Sequence, residues 1–191
     1  MTDYVAKGAQ ISACGTYRYQ LWREWRSPNT PKENWRWLGT DGAGKPFGTP
    51  KSCVFVMLNP STADGEQDDM TIRRCVSFAT TFGYDRLEVI NLFALRATDP
   101  KAMLARTDID PVGWENQRYF GRVLQGADIV IAAWGVHGTH LGQDETAMGW
   151  IAEHTNANVF ALQRTIDGSP KHPLYVRSDA RLTPFKGRLV A

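Results

Sequence analysis

No stretch of this 191-residue chain approaches the ~20 continuous apolar residues that a membrane-spanning helix needs. Its opening residues, MTDYVAKGAQ, lack the apolar core of an export signal, so a cytoplasmic protein is expected. Cysteine is scarce: Cys14, Cys53 and Cys75, with no CxxC pair. An odd count at that spacing fits reduced structural thiols better than a disulfide frame. Runs of like charge are absent, and the formal net charge is only +2. That balance does not compel a nucleic-acid partner, because a local basic patch matters more than the sum.

Several catalytic signatures are also missing. The chain has no Walker loop, no GxGxxG fingerprint, no GxSxG elbow and no Ser-His-Asp order. Readings as a P-loop enzyme, a dinucleotide enzyme or a serine hydrolase therefore lose support. His137 and His140 form an HxxH pair, but WGVHGTHLGQD is punctuated by glycine and supplies no clear third ligand. Neither a metal nor another cofactor is expected.

What is present suits one well-filled core, with 42% hydrophobic and 22% charged residues. The expectation is a single α/β domain over residues 1–191, made of an N-terminal extension (1–51) and a core (52–191). The extension is aromatic: Trp22, Trp25, Trp35 and Trp37 lie within YRYQLWREWR and NWRWLGTDGAGKPFGTPKS. It reads as a strand or hairpin and a loop, stapled onto the main body by its large aromatics.

From Ser52 onward apolar runs alternate with helical patterns. SCVFVML, RLEVINLFAL, DIVIAAWG and NVFALQRT read as buried strands. DDMTIRRCVSFATTFG has apolar residues at helical spacing and stops at Gly83, with Asp68 or Asp69 as its N-cap. PVGWENQRYFGRVLQGA reads as a helix with Pro111 near its start and Gly126 just past its end, and LGQDETAMGWIAEHTN as another. This order predicts a three-layer α/β/α sandwich around a mainly parallel four-stranded sheet.

Ligands of such sheets bind beyond the carboxyl ends of the strands. The polar residues there are Asn59, Pro60 and Ser61 after the first strand, Asn91 and Arg96 around the second, Trp134 after the third, and Lys171 and His172 after the fourth. Asn59 is either a strand terminator that satisfies loop backbone or an amide aimed into a pocket. Asp64, in the following loop, is a candidate general base. Asn91 lies among apolar neighbours, so its amide must either bridge backbone or face a ligand such as a nucleobase edge. Phe93 and Trp134 are candidate stacking partners for a base. Arg73, Arg74 and Arg96, with Lys171, could meet phosphates.

ACGTYRYQLWREW, FVMLNPSTADGEQDDMTIRRC, VINLFALRATDP and KHPLY, in that order, resemble the domain-of-unknown-function 1643 family of bacterial and phage proteins. A more distant resemblance, over residues of about 52 to 176, is to the uracil-DNA glycosylase superfamily, whose four-stranded parallel sheet carries a Gly-x-Asn/Asp-Pro motif and a later His-Pro loop. MLNPS is similar to the first motif, with Met57 in the place of its Gly, and KHPLYV to the second. The likeness implies that Asn59 positions a water, that Asn91 reads a flipped base and that His172 stabilises the departing base. The usual Ser and small residues after His-Pro are missing, and only Leu174 or Tyr175 could serve as a wedge.

The expected function is base processing, as a DNA glycosylase-like hydrolase acting on the N-glycosidic bond of a modified or damaged base, with DNA or a nucleotide as partner. A non-catalytic nucleic-acid-binding module of the same fold is the alternative, as is an enzyme of free nucleosides or nucleotides.

Overall fold

The chain opens with an antiparallel hairpin of β1 (Tyr4–Ile11) and β2 (Arg18–Trp25). The computed structural model describes residues 2–25, 50–61 and 63–187, so Trp35 and Trp37 of the expected aromatic staple lie outside the described residues. There follow β3 (Ser52–Met57), α1 (Met70–Thr81), β4 (Arg86–Asn91), α2 (Pro100–Leu104) and α3 (Asn116–Leu124). β5 (Ile129–Ala132), α4 (Gln143–His154), β6 (Val159–Ala161) and a two-residue β7 (Thr183–Pro184) complete the order.

The four strands read from the sequence pair in parallel: β3 with β4 and β5, and β5 with β6. They are not the whole sheet. Seven strands run in the order β1-β2-β4-β3-β5-β6-β7, so the sheet is mixed and larger than expected. The correction has a plain cause. β4 would otherwise present an open edge of unpaired backbone groups, and β2 closes it through antiparallel pairs such as Leu21 with Val89. The hairpin of the aromatic arm therefore adds two strands to the sheet itself. Trp25 joins the core, and Trp22 lies so close over Gly8 that a Cβ there would meet its ring at 2.3 Å.

Both faces of β3 are buried, and its residues alternate between two apolar clusters. Cys53, Phe55 and Met57 pack with Ile72, Cys75, Val76, Phe78 and Ala79 of α1. Val54 and Val56 pack with Phe120, Val123 and Leu124 of α3 and with Ala147 and Ile151 of α4. Asp69 caps α1 by accepting from the Ile72 N–H at 2.8 Å, and Gly83 follows its end at φ 81°. Pro111 does not start α3, which begins five residues later. The Asp110 carboxylate accepts from the N–H groups of Val112 and Gly113 and holds that stretch as a turn. Among the described residues no helix is long and apolar enough to cross a membrane.

Candidate functional site

Parallel pairing sets Met57 level with Asn91, and Val56 level with Ala132, so β3, β4 and β5 end along one line. Beyond that line lies a cavity of about 610 Å³, a size typical of small-molecule sites, ~300–1,000 Å³. It sits where strand order reverses between β3 and β5, the place at which open α/β sheets hold their ligands. Asn59 and Ser61 line it from the end of β3, Asn91 from β4, Trp134 from β5, and Lys171 and His172 from the loop after β6. Six of the sequence-derived candidates thus converge on one space.

Asn91 is 1% exposed, and among the described residues its Nδ2 has no hydrogen-bond partner. Its main chain is fixed from the other side. Asn116 of α3, fully buried, donates Nδ2 to the carbonyls of Asn91 and Leu92 at 2.9 and 3.1 Å. A buried donor left unmet costs free energy, and Asn91 is among the residues that line the cavity.

Asn59 behaves differently. Its Nδ2 donates to the carbonyls of Pro60 at 3.1 Å and Ala97 at 2.9 Å. Two carbonyl neighbours fix the amide orientation and leave its oxygen as the group available to a ligand or water. Pro60 is buried and contributes its carbonyl to that bracket.

His172 opens a 3-10 turn at Pro173–Tyr175. Its Nδ1 accepts from the Leu174 N–H at 3.4 Å, so the neutral ring carries its proton on Nε2. Burial pushes its pKa below the usual histidine value, against the opposing pull of the Asp69 carboxylate. The loop that carries it is tied down: Gly135 N–H donates to Pro170 O, Lys171 N–H to Gln163 O, and the Ser169 hydroxyl to the Asp167 carboxylate at 2.7 Å. Trp134 is wedged against Gly138, where a Cβ would sit 2.0 Å from its ring.

Other candidates lie outside the cavity lining. The Asp64 carboxylate accepts from the N–H groups of Glu66 and Gln67, each at 2.8 Å, and these bonds hold its pKa below the usual carboxylate value. Phe93 is core, edge-on to His140. Arg96 donates to Gly15 O, Arg73 to Asp68 O, and Arg74 to Val176 O while lying over the Phe78 ring. Of the HxxH pair, His137 lines the cavity and His140 packs on Phe93. Among the described residues no group of three or more His, Cys, Asp or Glu could hold a metal ion.

Sequence reasoning missed two lining residues of consequence. Arg18, 3% exposed, reaches the cavity from β2, and Asp69 reaches it while capping α1. Asp69 was legible as a cap. Nothing local to Arg18 signalled its place, because antiparallel pairing across the sheet brings it there.

The family described as protein of unknown function (DUF1643) matches residues 18–174. No curated protein and no solved structure matches the chain. The likeness to uracil-DNA glycosylases accordingly rests on the motifs alone.

Proposed function

We propose that this chain, which belongs to the DUF1643 family, is a cytoplasmic nucleobase-processing hydrolase that cleaves an N-glycosidic bond. The observation that carries the reading is Asn91, which lines a cavity of nucleotide scale and whose buried Nδ2 has no partner among the described residues. A base edge presents ring nitrogens and carbonyl oxygens, the acceptors such a donor lacks. We take the two helix-covered faces of the sheet as the three-layer α/β/α arrangement implied by the glycosylase likeness.

The chemistry follows from the groups present. Water attacks C1′ of the sugar, the C1′–N bond breaks, and its electron pair leaves with the base. His172, neutral with its proton on Nε2, donates a hydrogen bond to the departing base anion. Asn59 offers its amide oxygen to orient the water, since its N–H groups are taken. Asp69 shares the lining with Asp99 but is the carboxylate whose charge acts on His172, and we give it the general-base role expected of Asp64. Trp134 supplies an aromatic wall for the base.

A second reading, hydrolysis of free nucleosides or nucleotides, is favoured by one observation. Arg73, Arg74 and Arg96, the arginines expected to grip a DNA backbone, each donate to the protein's own carbonyls. The test is mass-spectrometric detection of free base from a panel of DNAs, including phage DNAs with modified bases, and from free nucleosides and nucleotides. Wild type should release one base, and Asn59→Ala and His172→Ala should lose about 10²-fold or more in rate. Release that survives both substitutions would sink the assignment. Release from small substrates alone would select the second reading.

A further inference from the structure

Arg18 stands at the start of β2 with its side chain 3% exposed and in the wall of the cavity. Among the described residues its guanidinium makes one hydrogen bond, from Nη1 to the Ala63 carbonyl at 2.6 Å, Nε has no partner and no carboxylate pairs with it. Buried charges are ordinarily paired, because an unpaired one is costly to desolvate. Arg23, five residues along the same strand, shows the usual solution: it is equally buried, yet ion-paired and bonded to several carbonyls. Arg18 lacks that solution while bordering empty space.

Burial lowers the Arg18 pKa to about 10, with Asp69 opposing, so the group stays charged at neutral pH. The other fixed charges of the lining balance, so its net positive charge is that of Arg18. Lys101 and Lys171 line it with Arg18, against Asp69 and Asp99. Each of those carboxylates already accepts a helix N-terminal N–H, from Ile72 at 2.8 Å and from Lys101 at 2.9 Å. Asn91, at the β4 end of the same lining, supplies a neutral donor. One cavity therefore offers a base-reading amide and a separate, unpaired cation.

We propose that Arg18 is the anchor of an anion subsite that takes the terminal phosphate of a nucleoside monophosphate. The proposal rests on the base-processing reading for the nucleoside half of the ligand, and on Arg18 alone for the phosphate half. A guanidinium presents a planar fork of donors that matches phosphate oxygens. A terminal phosphate suits so enclosed a group, since an internal phosphodiester must have chain leaving it in two directions.

The test is calorimetric titration of the full chain with the 5′-monophosphates of the DNA bases, their parent nucleosides, inorganic phosphate and a single-stranded oligonucleotide. For the base that fits, the monophosphate should bind wild type at least about tenfold tighter than the nucleoside. Arg18→Met should reduce that ratio to about one while nucleoside affinity survives, and Arg18→Lys should retain part of it. Thermal stabilisation of wild type by inorganic phosphate, over chloride at matched ionic strength, tests the subsite without a variant. Equal affinity of wild type for nucleoside and monophosphate would overturn the subsite and leave base processing standing. Phosphate binding with no preference among bases would do the reverse. An oligonucleotide that outcompetes every monophosphate would reassign Arg18 to a phosphodiester and overturn the proposal, as would no binding of any of these ligands.

Discussion

Arg23 of β2 and Asp68 of the loop after β3 are joined by an ion pair of 2.7 Å, across 45 residues of sequence. The other Asp68 oxygen accepts from the Tyr4 hydroxyl at 2.5 Å, so the hairpin grips this loop from both of its strands. Arg23 also donates to the carbonyls of Trp22 and Asp64 at 2.8 and 2.7 Å. The loop so held leads from Asn59 to Asp69, between two walls of the cavity.

Replacing Arg23 by Met should therefore destabilise the fold strongly. It strands a largely buried carboxylate and leaves part-buried carbonyls unmet, a loss on the order of 3–5 kcal/mol. Urea denaturation at fixed pH measures this. A change below about 1 kcal/mol would mean that the pair contributes little.

Asn91→Leu should separate stability from function. It removes an orphaned buried donor at similar volume, so the unliganded protein should gain about 1 kcal/mol in denaturation. The same variant should lose ligand binding, the pattern expected where a site is kept at a stability cost. Undiminished binding would remove Asn91 from the site.

His172 gives a pH dependence of definite sign. Its folded pKa lies below the unfolded value of about 6.5, so the unfolded state binds more protons between the two. Stability should rise with pH through that window and level off above about 6.5. His172→Gln should flatten the slope in denaturation midpoints taken at successive pH values. An unchanged slope would place the titrating group elsewhere.

Cys14 should be the thiol that reacts. Hydrogen bonds from Ser12 and Thr16 lower its pKa to about 7, and it is exposed. Cys53 and Cys75 are buried, and desolvation pushes both upward. Iodoacetamide at neutral pH should label one site in native protein, found by peptide mass spectrometry at Cys14. Ser12→Ala should slow the labelling; prior modification of Cys53 or Cys75 would contradict this order.

The parallel strands were legible because continuous apolar runs ending in polar residues are a local property. Asn59 and Asn91 could be singled out for the same reason, each a polar residue in or just after such a run, whereas His172 was legible from its place before Pro173 in a loop. A strand or hairpin around YRYQLWREWR was legible too, but neither β1 nor the place of β2 in the sheet. Whether β2 covers the edge of β4 depends on pairing over more than 60 residues, and no periodicity encodes a partner. The backbone arginines illustrate the same limit, since Arg73, Arg74 and Arg96 look free in sequence and find carbonyls only in the folded chain.

The sequence by itself determined the four parallel strands, the helices α1, α3 and α4, a cap on α1 at Asp68 or Asp69, and that polar groups crowd the carboxyl edge of the sheet. These follow from apolar periodicity and turn chemistry, which act within a few residues. The tertiary structure decided the seven-strand mixed sheet, the exclusion of Asp64 from the cavity, and the unpaired burial of Arg18. Those depend on which distant surfaces meet and which hydrogen-bond partners remain after they do.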